Sequence, residues 1–96
     1  MKIEIIDKQY ERKLNWYDGK LYCELLTIDG KTDWRLPTIA ELVDISYGTN
    51  NFNSACYWSS SINDRGLVMY REFSKNGFMG YNNFSANYYI RPVRTI

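Results

Sequence analysis

The spacing of apolar residues changes period twice along the chain, and each change predicts a new element. Ile3 and Ile5 alternate with polar positions and, with Tyr10, predict an opening extended segment, an edge or closing strand. From Leu14 the period becomes helical: Leu14, Tyr17 or Asp18, Leu21, Tyr22 and Leu25 recur at three- and four-residue spacing. Asn15, with Asp18 three residues on, marks the start of this helix. The Asn oxygen can accept an orphan amide bond, and Asp18 suits the positive end of the helix dipole. Gly19 inside the helix costs ~1 kcal/mol relative to Ala, and Asp29-Gly30 is expected to end it.

A second helix start is sharper. Thr38-Ile39-Ala40-Glu41 fits a capping box, and Pro37 just ahead holds the chain extended before the first turn. Ile39, Leu42, Val43 and Ile45 are expected to supply its buried face, with Gly48 as the stop. Residues 48–54 read as loop. The sequence then turns to β: a strand over Ala55–Ile62, a turn at Asn63-Asp64-Arg65-Gly66, and a strand over Leu67–Phe73. Asn76-Gly77 matches a type I′ hairpin, with Phe78–Tyr81 as the return strand. Residues 82–87 read as a loop and Tyr88–Val93 as a closing strand. The expected fold is one α+β domain over residues 1–96: an N-terminal strand, two short helices, then an antiparallel β meander.

Composition sharpens this in one respect. Nine Tyr, four Phe and three Trp make up 17% of 96 residues, more Tyr than a core of this size needs. Exposed Tyr is cheap, rigid contact area favoured at recognition surfaces, although Tyr also simply suits β-strands. The net charge of +1 argues against general nucleic-acid or membrane-surface binding. The charge is uneven, however. All eleven acids and nine of the bases lie at or before Glu72, a balance of −2, whereas Lys75, Arg91 and Arg94 leave the last 24 residues at +3. That end suits an anionic partner.

Chemistry is sparse. No His is present to activate a Ser or Cys nucleophile or to complete a zinc site, and no Gly-rich phosphate loop occurs. Asp and Glu are scattered, with no recognisable catalytic pair. The expectation is therefore no catalytic residue, no metal and no cofactor. The N-terminal residues lack the apolar core of a signal peptide, and no stretch approaches membrane-span length. This suggests a cytoplasmic protein or one released as part of a phage particle.

Several segments carry a family resemblance. Trp16-Tyr17-Asp18-Gly19-Lys20-Leu21-Tyr22-Cys23-Glu24-Leu25-Leu26 precedes Thr32-Asp33-Trp34-Arg35-Leu36-Pro37-Thr38-Ile39-Ala40-Glu41-Leu42. Further on come Tyr57-Trp58-Ser59-Ser60-Ser61, a Phe73…Gly77 segment and Tyr89-Ile90-Arg91-Pro92-Val93-Arg94. In this order, from Asn15 to Arg94, the chain resembles the Lcl C-terminal-domain-like family, named for the end domain of a collagen-like bacterial adhesin. The resemblance implies a fold related to C-type lectins and to the formylglycine-generating enzyme. It also implies mainly structural roles for Trp34, Arg35, Pro37, Glu41, Trp58, Arg91 and Arg94. Where the family often has a second Cys near its end, this chain has Pro92, so the disulfide expected with Cys23 cannot form. Cys56 is the remaining candidate partner, and two free thiols are the simpler reading. Neither the copper-binding cysteines of the enzyme relative nor the calcium-site elements of the lectins are matched.

In lectin-like folds the late loops and strands form the ligand face. Here that region holds Tyr70, Arg71, Tyr81, Asn82, Asn83, Asn87 and Tyr88, a mixture of stacking area and adaptable hydrogen bonding. One of Tyr88 and Tyr89 should be exposed, and Tyr88 is expected to point outward. The leading functional expectation is a non-catalytic module that binds a glycan or protein. The alternative is a phage- or mobile-element-encoded intracellular inhibitor or sponge that binds a host defence protein or an anionic signalling molecule, with an oligomer or a pocket lined by Arg71, Arg91 or Arg94. A third reading is a structural particle protein that only self-associates.

Overall fold

The computed structural model of the chain describes residues 2–48, 51–73, 77 and 79–96, and what it shows is an α+β fold. Strand β1 (Ile3–Ile5) leads through a 3-10 turn (Lys8–Tyr10) to β2 (Arg12–Leu14), then α1 (Trp16–Leu25) and α2 (Ile39–Gly48). The remaining strands are β3 (Cys56–Ile62), β4 (Val68–Glu72), β5 (Met79–Asn82), β6 (Tyr88–Ile90) and β7 (Val93–Thr95). Five of them form a sheet of order β2-β6-β3-β4-β5, and β1 pairs separately with β7.

The antiparallel meander holds only for β3, β4 and β5. The expected closing strand is two strands. Pro92 has no N–H to offer a ladder, so the chain leaves the large sheet after Ile90 and starts again at Val93. There β7 pairs antiparallel with β1, and Val93 exchanges two 2.8 Å backbone bonds with Arg35. Strand β6 lies between β2 and β3, antiparallel to the first and parallel to the second. To reach that slot from the outer edge, residues 83–87 cross one face of the sheet, and Phe84 and Ala86 pack against the core on the way.

Other local expectations shift for identifiable reasons. Tyr10 belongs to the 3-10 turn rather than to the opening strand, and Leu14 ends a strand instead of lying in the first helix. Asn15 caps α1 as expected: its Oδ1 accepts the Asp18 N–H at 2.9 Å. The helix stops at Leu25, well before Asp29-Gly30. Those two residues, at φ 52° and 78°, instead form a tight turn closed by Ile28 and Lys31. Asn76 and Phe78 of the expected hairpin and return strand lie outside the described residues. Gly77 has φ 55°, the sign such a turn needs.

The sheet is covered on both sides. Along β3 and β4, Trp58 opposes Tyr70 and Tyr57 opposes Arg71, so these pairs face opposite ways. On the first face Trp58, Val68 and Ile90 join Trp16 and Cys23 of α1 and Leu36 in the main buried cluster. On the second face Arg71 reaches Ser46 of α2, and Tyr57 packs with Phe52, Phe73 and Tyr89. Because both faces are occupied, Tyr88 and Tyr89 are each half-buried and neither points freely into water, contrary to the expectation for Tyr88.

Helix α1 is docked by residues other than those its period predicts. Trp16, Gly19 and Cys23 are buried, whereas Tyr17, Leu21 and Leu25 are exposed. A Cβ on Gly19 would overlap Ile90 Cδ1 and lie 2.7 Å from its Cγ1, so the bare backbone at this point is what lets the helix sit on β6.

Candidate functional site

The late strands gather a polar aromatic cluster on the first face of the sheet, at its outer edge. Tyr70 on β4 opposes Gly80 on β5, and its ring lies across that bare backbone: a Cβ there would be 2.5 Å from the Tyr70 hydroxyl. The Tyr88 ring packs 4.6 Å from Trp58 and 4.9 Å from Tyr70 between centroids. Asn82 completes the group. Its Nδ2 donates to the Tyr88 hydroxyl at 2.9 Å, and its Oδ1 accepts the Asn83 N–H at 2.8 Å. Burial, reinforced by neighbouring Tyr88, pushes the Tyr70 hydroxyl above its usual pKa. It therefore stays a neutral group that both donates and accepts.

The connection from β5 to β6 forms the rim. Asn83 Oδ1 accepts from the Ser85 N–H at 3.1 Å and from its hydroxyl at 2.6 Å, an Asx-type turn that leaves both Asn83 and Asn87 exposed. Phe84 turns inward, 4.7 Å from Tyr17 and 5.3 Å from Trp16.

Thus Tyr70, Asn82 and Tyr88 come together, with Asn83 and Asn87 beside them. Two of the expected residues do not join them. Tyr81 projects from the opposite face of β5 and is 55% exposed. Arg71 is also on that opposite face, 8% exposed, with Nη2 donating to Ser46 Oγ at 3.1 Å. Period-two alternation separates both from Tyr70, and α2 then covers Arg71. Its Nε is buried without a hydrogen-bond partner among the described residues, as is Trp34 Nε1.

The motif residues knit the frame behind this face. Glu41 binds the Arg35 guanidinium in bidentate fashion at 2.8 and 2.9 Å and accepts the Thr38 N–H at 2.8 Å, while Thr38 Oγ1 accepts the Glu41 N–H at 3.2 Å. The capping box is thus extended by an ion pair, and the Glu41 carboxyl is held below its usual range chiefly by Arg35. Pro37 is buried and its carbonyl accepts the Ser60 N–H at 2.8 Å. Trp58, fully buried, donates Nε1–H to the Leu14 carbonyl at 3.2 Å. Arg94 pairs with Asp33 at 2.7 Å and Glu4 at 2.8 Å, and its guanidinium lies over Trp34.

Arg91 sits in a network centred on Glu11, a residue that sequence reasoning passed over. Glu11 Oε1 accepts from the Tyr57 hydroxyl at 2.6 Å and from Arg91 Nη1 at 3.1 Å, and its Oε2 accepts from Asn53 Nδ2 at 2.7 Å. Arg91 also donates to the Ile6 carbonyl and to Asn51. Arg71, Arg91 and Arg94 therefore occupy three separate settings, each bonded to a different part of the protein, and do not line one pocket. Gly80 was missed as well. Its signal was an aromatic one hairpin partner away, which is legible only once the register is known.

An apolar cleft of about 280 Å³ opens beside α1, lined by Trp16, Cys23, Trp34, Leu36 and Ile62 among others. Cys23 and Cys56 are free, and burial pushes the Cys23 thiol up to about 12 and raises that of Cys56 as well. Among the described residues no group of three or more Cys, Asp or Glu is placed to hold a metal ion, and no helix is long and apolar enough to cross a membrane.

No curated protein matches the chain. The profile of the Lcl C-terminal domain matches residues 4–94, nearly the whole length, and the chain belongs to that family.

Proposed function

We infer that the chain is a non-catalytic binding module that recognises a glycan or a protein through the face built by β4, β5 and β6. The observation that carries this reading is the Tyr70–Asn82–Tyr88 cluster. Its rings are fixed by packing on Trp58, and all three residues are only half-buried. Side chains already held in place lose little freedom on binding, so more of their contact energy becomes affinity. Exposed Asn83 and Asn87 add adaptable donors and acceptors around them. The family takes its name from an adhesin's end domain, and its lectin-like relatives supply the analogy for a ligand face on late loops. Neither thiol is activated, since burial raises both pKa values and so disfavours the nucleophilic thiolate.

The test is a glycan array and an extract pull-down, each run with the wild-type chain and with Asn82→Ala, Asn83→Ala and Asn87→Ala. Tyr47→Ala, an 81% exposed position on α2, serves as the control. The cluster variants should weaken the captured partner about tenfold, the cost of one well-placed contact group, while the control binds normally. A partner held equally well by all variants would place recognition elsewhere on the surface.

A further inference from the structure

The cleft of about 280 Å³ beside α1 shares no residue with the Tyr70–Asn82–Tyr88 cluster. Its walls include the buried side chains of Trp16, Cys23, Trp34 and Leu36. Lys20 and Glu24, one helical turn apart, also line it and are exposed, so they form its mouth. Neither makes an ion pair among the described residues. Lys ahead of Glu is also the less favourable order for pairing along a helix. Lys20 Nζ lies 5.5 Å over the Trp16 ring, which holds a cation against an aromatic wall. The three indole N–H groups differ as well. Trp16 Nε1 donates to the Ser59 carbonyl at 2.9 Å and Trp58 Nε1 to that of Leu14 at 3.2 Å. Trp34 Nε1 is buried with no partner among the described residues, a costly state for a donor.

We propose that this cleft binds a small zwitterion with a single hydroxylated aromatic ring, the class of free tyrosine. Volume sets the size. The cleft exceeds the ~150 Å³ that holds a benzene ring and falls just short of the ~300 Å³ where pockets for larger ligands begin. The walls set the shape. Two indoles and Leu36 suit a flat ring, and they offer the many hydroxyls of a sugar too few partners. The free groups set the chemistry. Lys20 meets a carboxylate and Glu24 an ammonium, and their Cβ atoms, ~5–6 Å apart on one helix face, suit two charges carried on one ligand carbon. The ring oxygen accepts the Trp34 N–H. A purely apolar ligand would leave all three groups unused, and a singly charged one would leave Lys20 or Glu24 unmatched.

A ligand of about a dozen heavy atoms reaches a Kd of about 1 mM or tighter. This site does not rest on the Tyr70–Asn82–Tyr88 reading, and its test touches none of those residues.

The test is an NMR titration of the full chain with L-tyrosine that follows the indole N–H signals. The Trp34 signal should move furthest of the three and saturate. Tyramine lacks the carboxylate, desaminotyrosine the ammonium and L-phenylalanine the ring oxygen. Each should bind about tenfold more weakly, the scale of one matched polar contact. Lys20→Gln should weaken L-tyrosine about tenfold and abolish its advantage over tyramine. Glu24→Gln should do the same for its advantage over desaminotyrosine, since each cycle isolates one pair. Both positions are exposed, and circular dichroism verifies that the variants fold. Absence of saturable binding, an analogue that binds as tightly as L-tyrosine, or binding that leaves the Trp34 signal unmoved would each overturn the proposal.

Discussion

The two helices have the same length, ten residues each, but are attached to the sheet by different means. Helix α2 sits on side chains. Its period predicts Leu42 and Ile45 as buried and the structure buries both, with Ile39 and Val43 half-buried. Its N-terminus is fixed by the Thr38–Glu41 box and the Arg35 ion pair. Helix α1 sits on a gap. Gly19 brings the backbone onto Ile90, Trp16 and Cys23 flank the contact, and the residues with the best helical spacing face water. Apolar periodicity thus names an apolar stripe. It does not say that the fold will bury it.

The contrast can be broken at its strongest point. Leu42 is fully buried, so Leu42→Ala should cost about 2–5 kcal/mol in urea unfolding. Leu25→Ala, the same chemistry on the α1 stripe, should change monomer stability by no more than about 0.5 kcal/mol. Equal losses would mean that the stripe is buried after all.

Gly19→Ala comes next. On an ordinary helix it should stabilise by ~1 kcal/mol. Here the new methyl meets Ile90, itself fully buried, and overpacking should reverse the sign to a net loss of about 1–3 kcal/mol. A thermal midpoint above that of the wild-type chain would refute the close-approach account of α1.

The smallest effect belongs to the α2 cap. Glu41→Gln should cost about 1 kcal/mol at neutral pH. The Glu41 carboxyl titrates below its ordinary 4.5 in the folded chain, so below that pH the unfolded state binds more protons than the folded one. The stability it contributes is complete at neutral pH and is lost as pH falls through the lowered folded value. The wild-type advantage over Glu41→Gln should therefore shrink in acid, and an advantage independent of pH would show that the ion pair contributes nothing.

Much of the local architecture was legible because its causes are local. Asn15 and Thr38 cap their helices through bonds spanning three residues, and Gly66 at φ 78° closes the turn begun at Asn63. The division of the closing strand was also written in the chain, at Pro92, but its consequence depends on two sheets that the sequence does not display. The candidate face was half legible. Residue type drew attention to Tyr70, Asn82 and Tyr88, yet the same criterion admitted Arg71 and Tyr81, which strand alternation turns the other way.

The sequence by itself determined where α1 and α2 begin, that strands follow them, and that no imidazole chemistry is available. Those follow from hydrogen bonds and torsional preferences within a few residues, or from composition alone. Only the tertiary structure decided which side of α1 is buried, that β6 runs between β2 and β3, and that Glu11 gathers Arg91, Tyr57 and Asn53. Each of these is settled by contacts between residues more than thirty positions apart. There the outcome depends on close-packing and on satisfying buried polar groups across the whole molecule, which no local pattern records.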